Sequence, residues 1–128
     1  MEKMEIKSEE CPEAIGPYSE GLKSGNLIFT TQIGLTKEGF LIDERIASQT
    51  DQCLRNINSI MKAAGARMDN IVKCTVYLTD MDDFAAMNEI YKNYFTKPYP
   101  SRTCIQVVKL PSGAKVEIEA IANLIQEK

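Results

Sequence analysis

Residues 72–95 read VKCTVYLTDMDDFAAMNEIYKNYF, and the change of period inside this stretch decides the fold. Val72, Cys74, Val76 and Leu78 alternate with Lys73, Thr75, Tyr77 and Thr79, the period of a half-buried strand. From Phe84 onward the apolar residues Phe84, Met87, Ile90, Tyr91, Tyr94 and Phe95 recur at helical spacings. Asp80, Asp82 and Asp83 favour a helix N-terminus between the two patterns, and Lys97-Pro98 stops the helix. A strand thus feeds a helix.

The flanking sequence repeats both patterns. Upstream, Ile46, Cys53, Leu54, Ile57, Ile60, Met61 and Ala64 form one stripe of a longer helix, with Gly65 placed for a left-handed C-cap. Before it, Tyr18 to Lys23 and Asn26 to Gln32 read as strands joined by a tight turn at Ser24-Gly25-Asn26, and Gly34 to Asp43 as a loop or turn containing Gly39. Downstream, Thr103 to Leu110 is rich in β-branched residues. Val116, Ile118, Ala120 and Ala122 then alternate with Lys115, Glu117 and Glu119. The order predicts an α+β fold, one domain over residues 1–128, with two helices on one face of a sheet. The other face would carry Lys73, Tyr77, Glu117 and Glu119 among small or apolar residues, a surface suited either to water or to another subunit.

Composition narrows the function. The 128 residues are 44% hydrophobic and 26% charged, which is globular. A formal charge of −3 argues against a protein held on nucleic acid or anionic lipid by its overall field. Phe84 to Met87 is the longest apolar run, too short to span a membrane, and the alternating Glu2, Lys3, Glu5 and Lys7 do not form a signal peptide; a cytoplasmic protein is expected. The chain has no histidine. That excludes Ser-His-Asp and Cys-His catalysis and zinc sites of cysteine and histidine. Cys11, Cys53, Cys74 and Cys104 lie at wide spacings, as reduced thiols do, and no metal site is expected.

A few residues could carry chemistry. Arg102 precedes a strand and offers a rigid fork for a carboxylate, or is a plain surface arginine. Glu117 and Glu119 share one strand face and could act as general acid and base on a water, or form a solvated row of charges. Cys104 has no histidine to activate it and reads as a packing or bystander thiol. Tyr18, after Gly16-Pro17, could wall a pocket or fill a core. Met61, Met68, Met81 and Met87 read as core filler.

Several stretches, taken together, resemble the RidA/YjgF/UK114 family, also called L-PSP endoribonucleases or translation inhibitors. They are Ala14-Ile15-Gly16-Pro17-Tyr18-Ser19, Asn26-Leu27-Ile28-Phe29-Thr30, Ala63-Ala64-Gly65, Tyr99-Pro100-Ser101-Arg102-Thr103-Cys104 and Leu110-Pro111 followed by Lys115-Val116-Glu117-Ile118-Glu119-Ala120. The resemblance covers nearly the whole chain. It implies a chorismate-mutase-like fold with a mixed sheet, assembled as a homotrimer with three clefts between subunits. It also implies 2-iminobutanoate/2-iminopropanoate deaminase activity on small enamine and imine carboxylic acids, without a cofactor. Carried residue by residue, Arg102 would clamp the substrate carboxylate and Glu117 would activate the attacking water. The backbone of Cys104 would contact the nitrogen side of the substrate, and Tyr18 would line the cleft. Family members usually read Thr-Ser-Gly-Gln-Ile where this chain reads Thr30-Thr31-Gln32-Ile33, one residue shorter, so only Thr31 can stand in for the cleft-lining serine.

The chemistry fits the inventory, because an imine is already electrophilic and needs only a positioned water, a proton acceptor and a carboxylate anchor. A nuclease or RNA-directed translation inhibitor is the alternative that family labels suggest. Against it stand the missing histidine, the usual group titrating near neutrality, and the absence of an evident phosphate-tracking patch. A trimer that binds small ligands without turnover is the third reading.

Overall fold

A computed structural model describes residues 2–125. Six strands form one sheet in the order β1-β2-β3-β6-β4-β5. They are β1 (Lys3–Ile6), β2 (Gly21–Ser24), β3 (Leu27–Ile33), β4 (Ile71–Leu78), β5 (Ser101–Gln106) and β6 (Val116–Asn123). All neighbours are antiparallel except β4 and β5, which run parallel and are joined through helix α2 (Phe84–Tyr91). Helix α1 (Ile46–Ala63) links β3 to β4. The α+β class, the mixed sheet and the two helices agree with the expectation.

Helix α1 forms because its apolar residues fall on one stripe. Cys53, Leu54, Ile57, Ile60 and Met61 are fully buried against Ile28, Cys74, Val76, Ile118 and Ala120 of the central strands. Each buried aliphatic side chain contributes about 1.5–3 kcal/mol from loss of contact with water. The helix ends as the sequence predicts. Ala66 N–H donates to Met61 O at 2.8 Å and Gly65 N–H to Lys62 O at 3.0 Å, with Gly65 at a φ of +78°. These are the paired bonds of a Schellman cap, whose left-handed residue favours glycine.

The same stripe holds buried polar residues that periodicity does not reveal. Gln49 Nε2 donates to Asp43 O at 2.9 Å while its Oε1 accepts from Lys115 N–H at 2.8 Å, and Asn56 Nδ2 donates to Leu35 O at 3.0 Å. With these partners satisfied, burial is inexpensive, and the loop over residues 34–43 is fastened to α1.

Elsewhere the structure corrects the sequence reading. Strand β1 lies where the sequence shows only alternating charges; three of its four residues are exposed, so it carries no apolar alternation. A register shift between Ile71 and Lys73 places Val72 outside the core, half exposed, while Ile71 is buried. The strand expected over residues 103–110 runs from Ser101 to Gln106 instead, and Val108 is fully exposed. Tyr18 belongs to the turn before β2. Helix α2 is preceded by a 3-10 turn, in which Asp80 accepts from Asp82 N–H at 2.9 Å, and followed by another over Lys92–Tyr94. Met61 and Met87 are core residues, but Met81 is exposed.

Candidate active site

Strand β6 runs through the middle of the sheet, so its alternation fixes two environments. Val116, Ile118, Ala120 and Ala122 are buried toward the helices. Glu117, Glu119 and Ile121 face the opposite way. On this open face Glu117 lies between Ile33 and Tyr77, and Glu119 between Thr31 and Thr75.

The hydrogen bonds there run diagonally. Thr31, opposite Glu119, donates its hydroxyl to Glu117 Oε2 at 2.8 Å. Tyr77, opposite Glu117, donates to Glu119 Oε1 at 3.4 Å. Each carboxylate therefore has its own hydroxyl partner. Burial and the neighbouring Glu119 charge hold the Tyr77 phenol above its ordinary pKa, so it remains a donor.

Glu117 opens into a cavity of about 380 Å³ that Tyr18, Thr31, Ile33, Leu35, Pro111 and Ser112 also line. Tyr18 is presented by a short turn, in which its own N–H donates to Gly16 O at 2.8 Å and its hydroxyl accepts from Ile15 N–H at 3.3 Å. Leu35 is on the loop that Asn56 and Gln49 fasten to α1. Ser112 has a φ of 60°, a left-handed conformation uncommon outside glycine, and sequence patterns gave no signal for it.

Arg102 lies elsewhere. It is paired in register with Cys74, which is fully buried, so its side chain leaves the helix-facing side of edge strand β5. The guanidinium carbon is 4.7 Å from the Tyr91 ring centroid and 5.4 Å from that of Phe84. Nη1 donates to Asn88 Oδ1 at 2.6 Å. Asn88, Tyr91, Tyr99, Pro100 and Arg102 border a second cleft, of about 430 Å³. Cys104 follows on the same side of β5, half-buried opposite Val76. Burial pushes its thiol pKa up, the Arg102 charge opposing, which argues against a nucleophilic thiolate.

Within one chain, then, Tyr18, Thr31 and Glu117 come together, as do Arg102 and Cys104, but the two groups occupy separate clefts on different sides of the sheet. Among the described residues no group of three or more metal-ligating side chains forms, and no helix is long and apolar enough to cross a membrane.

Comparison with known proteins gives concordant matches. The family profile described as Endoribonuclease L-PSP matches residues 8–124. Reactive Intermediate Deaminase A, chloroplastic, of Arabidopsis thaliana is 45% identical over 93% of this chain, which spans 65% of that protein's length. The 2-iminobutanoate/2-iminopropanoate deaminase of Mus musculus is 44% identical over 91% of this chain and 88% of its own. The crystal structure of E. coli TdcF with bound serine superposes with a TM-score of 0.88 at 40% identity, covering 94% of this chain and 98% of that one. On this evidence of sequence and fold, the chain belongs to the endoribonuclease L-PSP family, whose members include the reactive intermediate deaminases.

Proposed function

We propose that this protein is a cofactor-independent deaminase that hydrolyses small 2-imino and enamine carboxylic acids, of the 2-iminobutanoate/2-iminopropanoate type, to 2-oxo acids and ammonia. The names of its relatives motivate the substrate class. The observation that carries the reading is Glu117, a carboxylate oriented by the Thr31 hydroxyl at the wall of a cavity large enough for such a substrate.

The reaction needs little beyond placement. Water adds to the imine carbon as Glu117 accepts its proton, giving a tetrahedral carbinolamine. Glu117 passes that proton to nitrogen. It then takes the carbinolamine hydroxyl proton and delivers it to the same nitrogen, so the carbon–nitrogen bond breaks as the carbonyl forms and ammonia leaves a 2-oxo acid. Arg102 anchors the substrate carboxylate, and Tyr18 and the backbone of Cys104 border the bound molecule. Since Arg102 and Glu117 lie in separate clefts of one chain, the working site is completed by Arg102 of one copy and Glu117 of the next. A homotrimer supplies three such clefts and covers the mixed face carrying Leu22, Phe29 and Ile121.

The decisive experiment couples ammonia release to enzymatically generated 2-aminoacrylate, with light scattering on the same sample. Accelerated release from particles of about three times 14.3 kDa is expected. Release at the uncatalysed rate, or a clean monomer at micromolar concentration, refutes the reading.

A further inference from the structure

We infer that Asn88 is a positioning residue: a neutral acceptor that orients the Arg102 guanidinium for a substrate carboxylate without spending its charge. The inference rests on the anchoring role proposed for Arg102.

Three side chains of α2 form the cradle. Phe84, Asn88 and Tyr91 are spaced i, i+4 and i+7, so they share the helix face turned to β5. The rings of Tyr91 and Phe84 both lie close to the guanidinium, at 4.7 and 5.4 Å from its central carbon. Two rings limit where the plane can lie, but they do not fix its rotation within that plane. The 2.6 Å bond from Nη1 to Asn88 Oδ1 does. Tyr91 is itself held by Phe95, their ring centroids 4.6 Å apart.

The electrical bookkeeping is as telling as the geometry. Among the described residues Arg102 forms no ion pair. The neighbouring acidic residue of α2, Glu89, is bound by Lys92 at 3.1 Å. An amide oxygen thus accepts a hydrogen bond from one guanidinium N–H while the full positive charge and the remaining N–H groups stay available. A carboxylate at position 88 would hold the guanidinium at least as firmly, but it would compete with the substrate for the same charge.

This contrast makes Asn88→Asp the test, because stability and affinity should part company. Aspartate keeps the shape and the acceptor, so the thermal midpoint should stay level or rise. KM for the imine should rise about tenfold or more while kcat stays within about threefold, since the lost interaction serves ground state and transition state alike. Calorimetric binding of 2-oxobutanoate, the product of 2-iminobutanoate hydrolysis, which is read without turnover, should weaken in parallel. Asn88→Ala should raise KM by a smaller factor and lower the midpoint, and it reads the same role if the aspartate variant does not fold. An Asn88→Asp protein with KM and 2-oxobutanoate affinity within twofold of wild type overturns the inference, even where Arg102→Lys is impaired. Indifference of both measurements to Arg102→Lys instead refutes the anchoring role on which it rests.

Discussion

Replacing Arg102 by lysine keeps the charge and removes nearly everything else that the structure gives this side chain. The guanidinium lies against two aromatic rings and spends one N–H on Asn88. Its remaining donors form a planar edge that can hold a carboxylate through two parallel bonds. An ammonium on a flexible stem offers one such bond and no planar stacking. Loss of a charge-assisted bond costs about 1.5–3 kcal/mol, and weakened cation–π contact adds roughly 0.5–1 kcal/mol. The total, about 2–4 kcal/mol, corresponds to a fall of roughly 30- to 1000-fold in kcat/KM. Because the anchor binds imine and transition state alike, much of the loss should appear as a raised KM. Glu117→Gln should instead lower kcat with KM little changed, since it removes the proton acceptor and leaves the anchor. Steady-state ammonia release by both variants, after light scattering has matched them to wild type, separates the two roles. Near-normal kinetics in Arg102→Lys would make Arg102 a structural residue and refute the assignment.

Other expectations concern stability, thiols and RNA. Gly34→Ala should destabilise more than Gly65→Ala in urea titrations: a Cβ at Gly34 would lie 2.8 Å from Gln49 O, whereas at Gly65 nothing lies within 4 Å and only the left-handed conformation, about 1–2 kcal/mol, is lost. Burial raises the Cys11 thiol to about 11, so its folded state holds the proton more tightly than the unfolded chain. The resulting stabilisation is present below pH 9 and lost as pH rises toward 11; the thermal midpoint should fall in that window, and less steeply in Cys11→Ala. Ribonuclease activity in a preparation should survive Glu117→Ala unchanged, as a contaminant would; RNA cleavage that co-purifies to homogeneity and vanishes in that variant would favour the nuclease reading.

Much of the fold was legible because α1, β4 and β6 each bury one side, leaving a clean period of 3.6 or 2 in Ile46–Ala63, Cys74–Leu78 and Val116–Ala122. Strand β1 was not, since Lys3, Met4 and Glu5 are all exposed. The misplacement of Val72 has a different cause: a bulge shifts register without altering composition. At the site, Glu117 and Arg102 were visible as residue types suited to the chemistry. Their separation was not, because it depends on Arg102 sharing register with buried Cys74 while Glu117 faces the other way. Asn88 gave no signal at all, being one polar residue on an otherwise apolar helix face.

The placement of Arg102 and Glu117 on different sides of one sheet has a genetic consequence. If every working cleft draws its anchor from one copy and its base from another, lesions in the two residues belong to different halves of the same unit. A cell carrying one allele defective at Arg102 and another at Glu117 would still build some intact clefts, where the sound half of each copy meets the sound half of the other. With equal expression and random assembly, about one cleft in four would be whole. Two alleles that are silent apart would recover function together, whereas two lesions in the same residue never could.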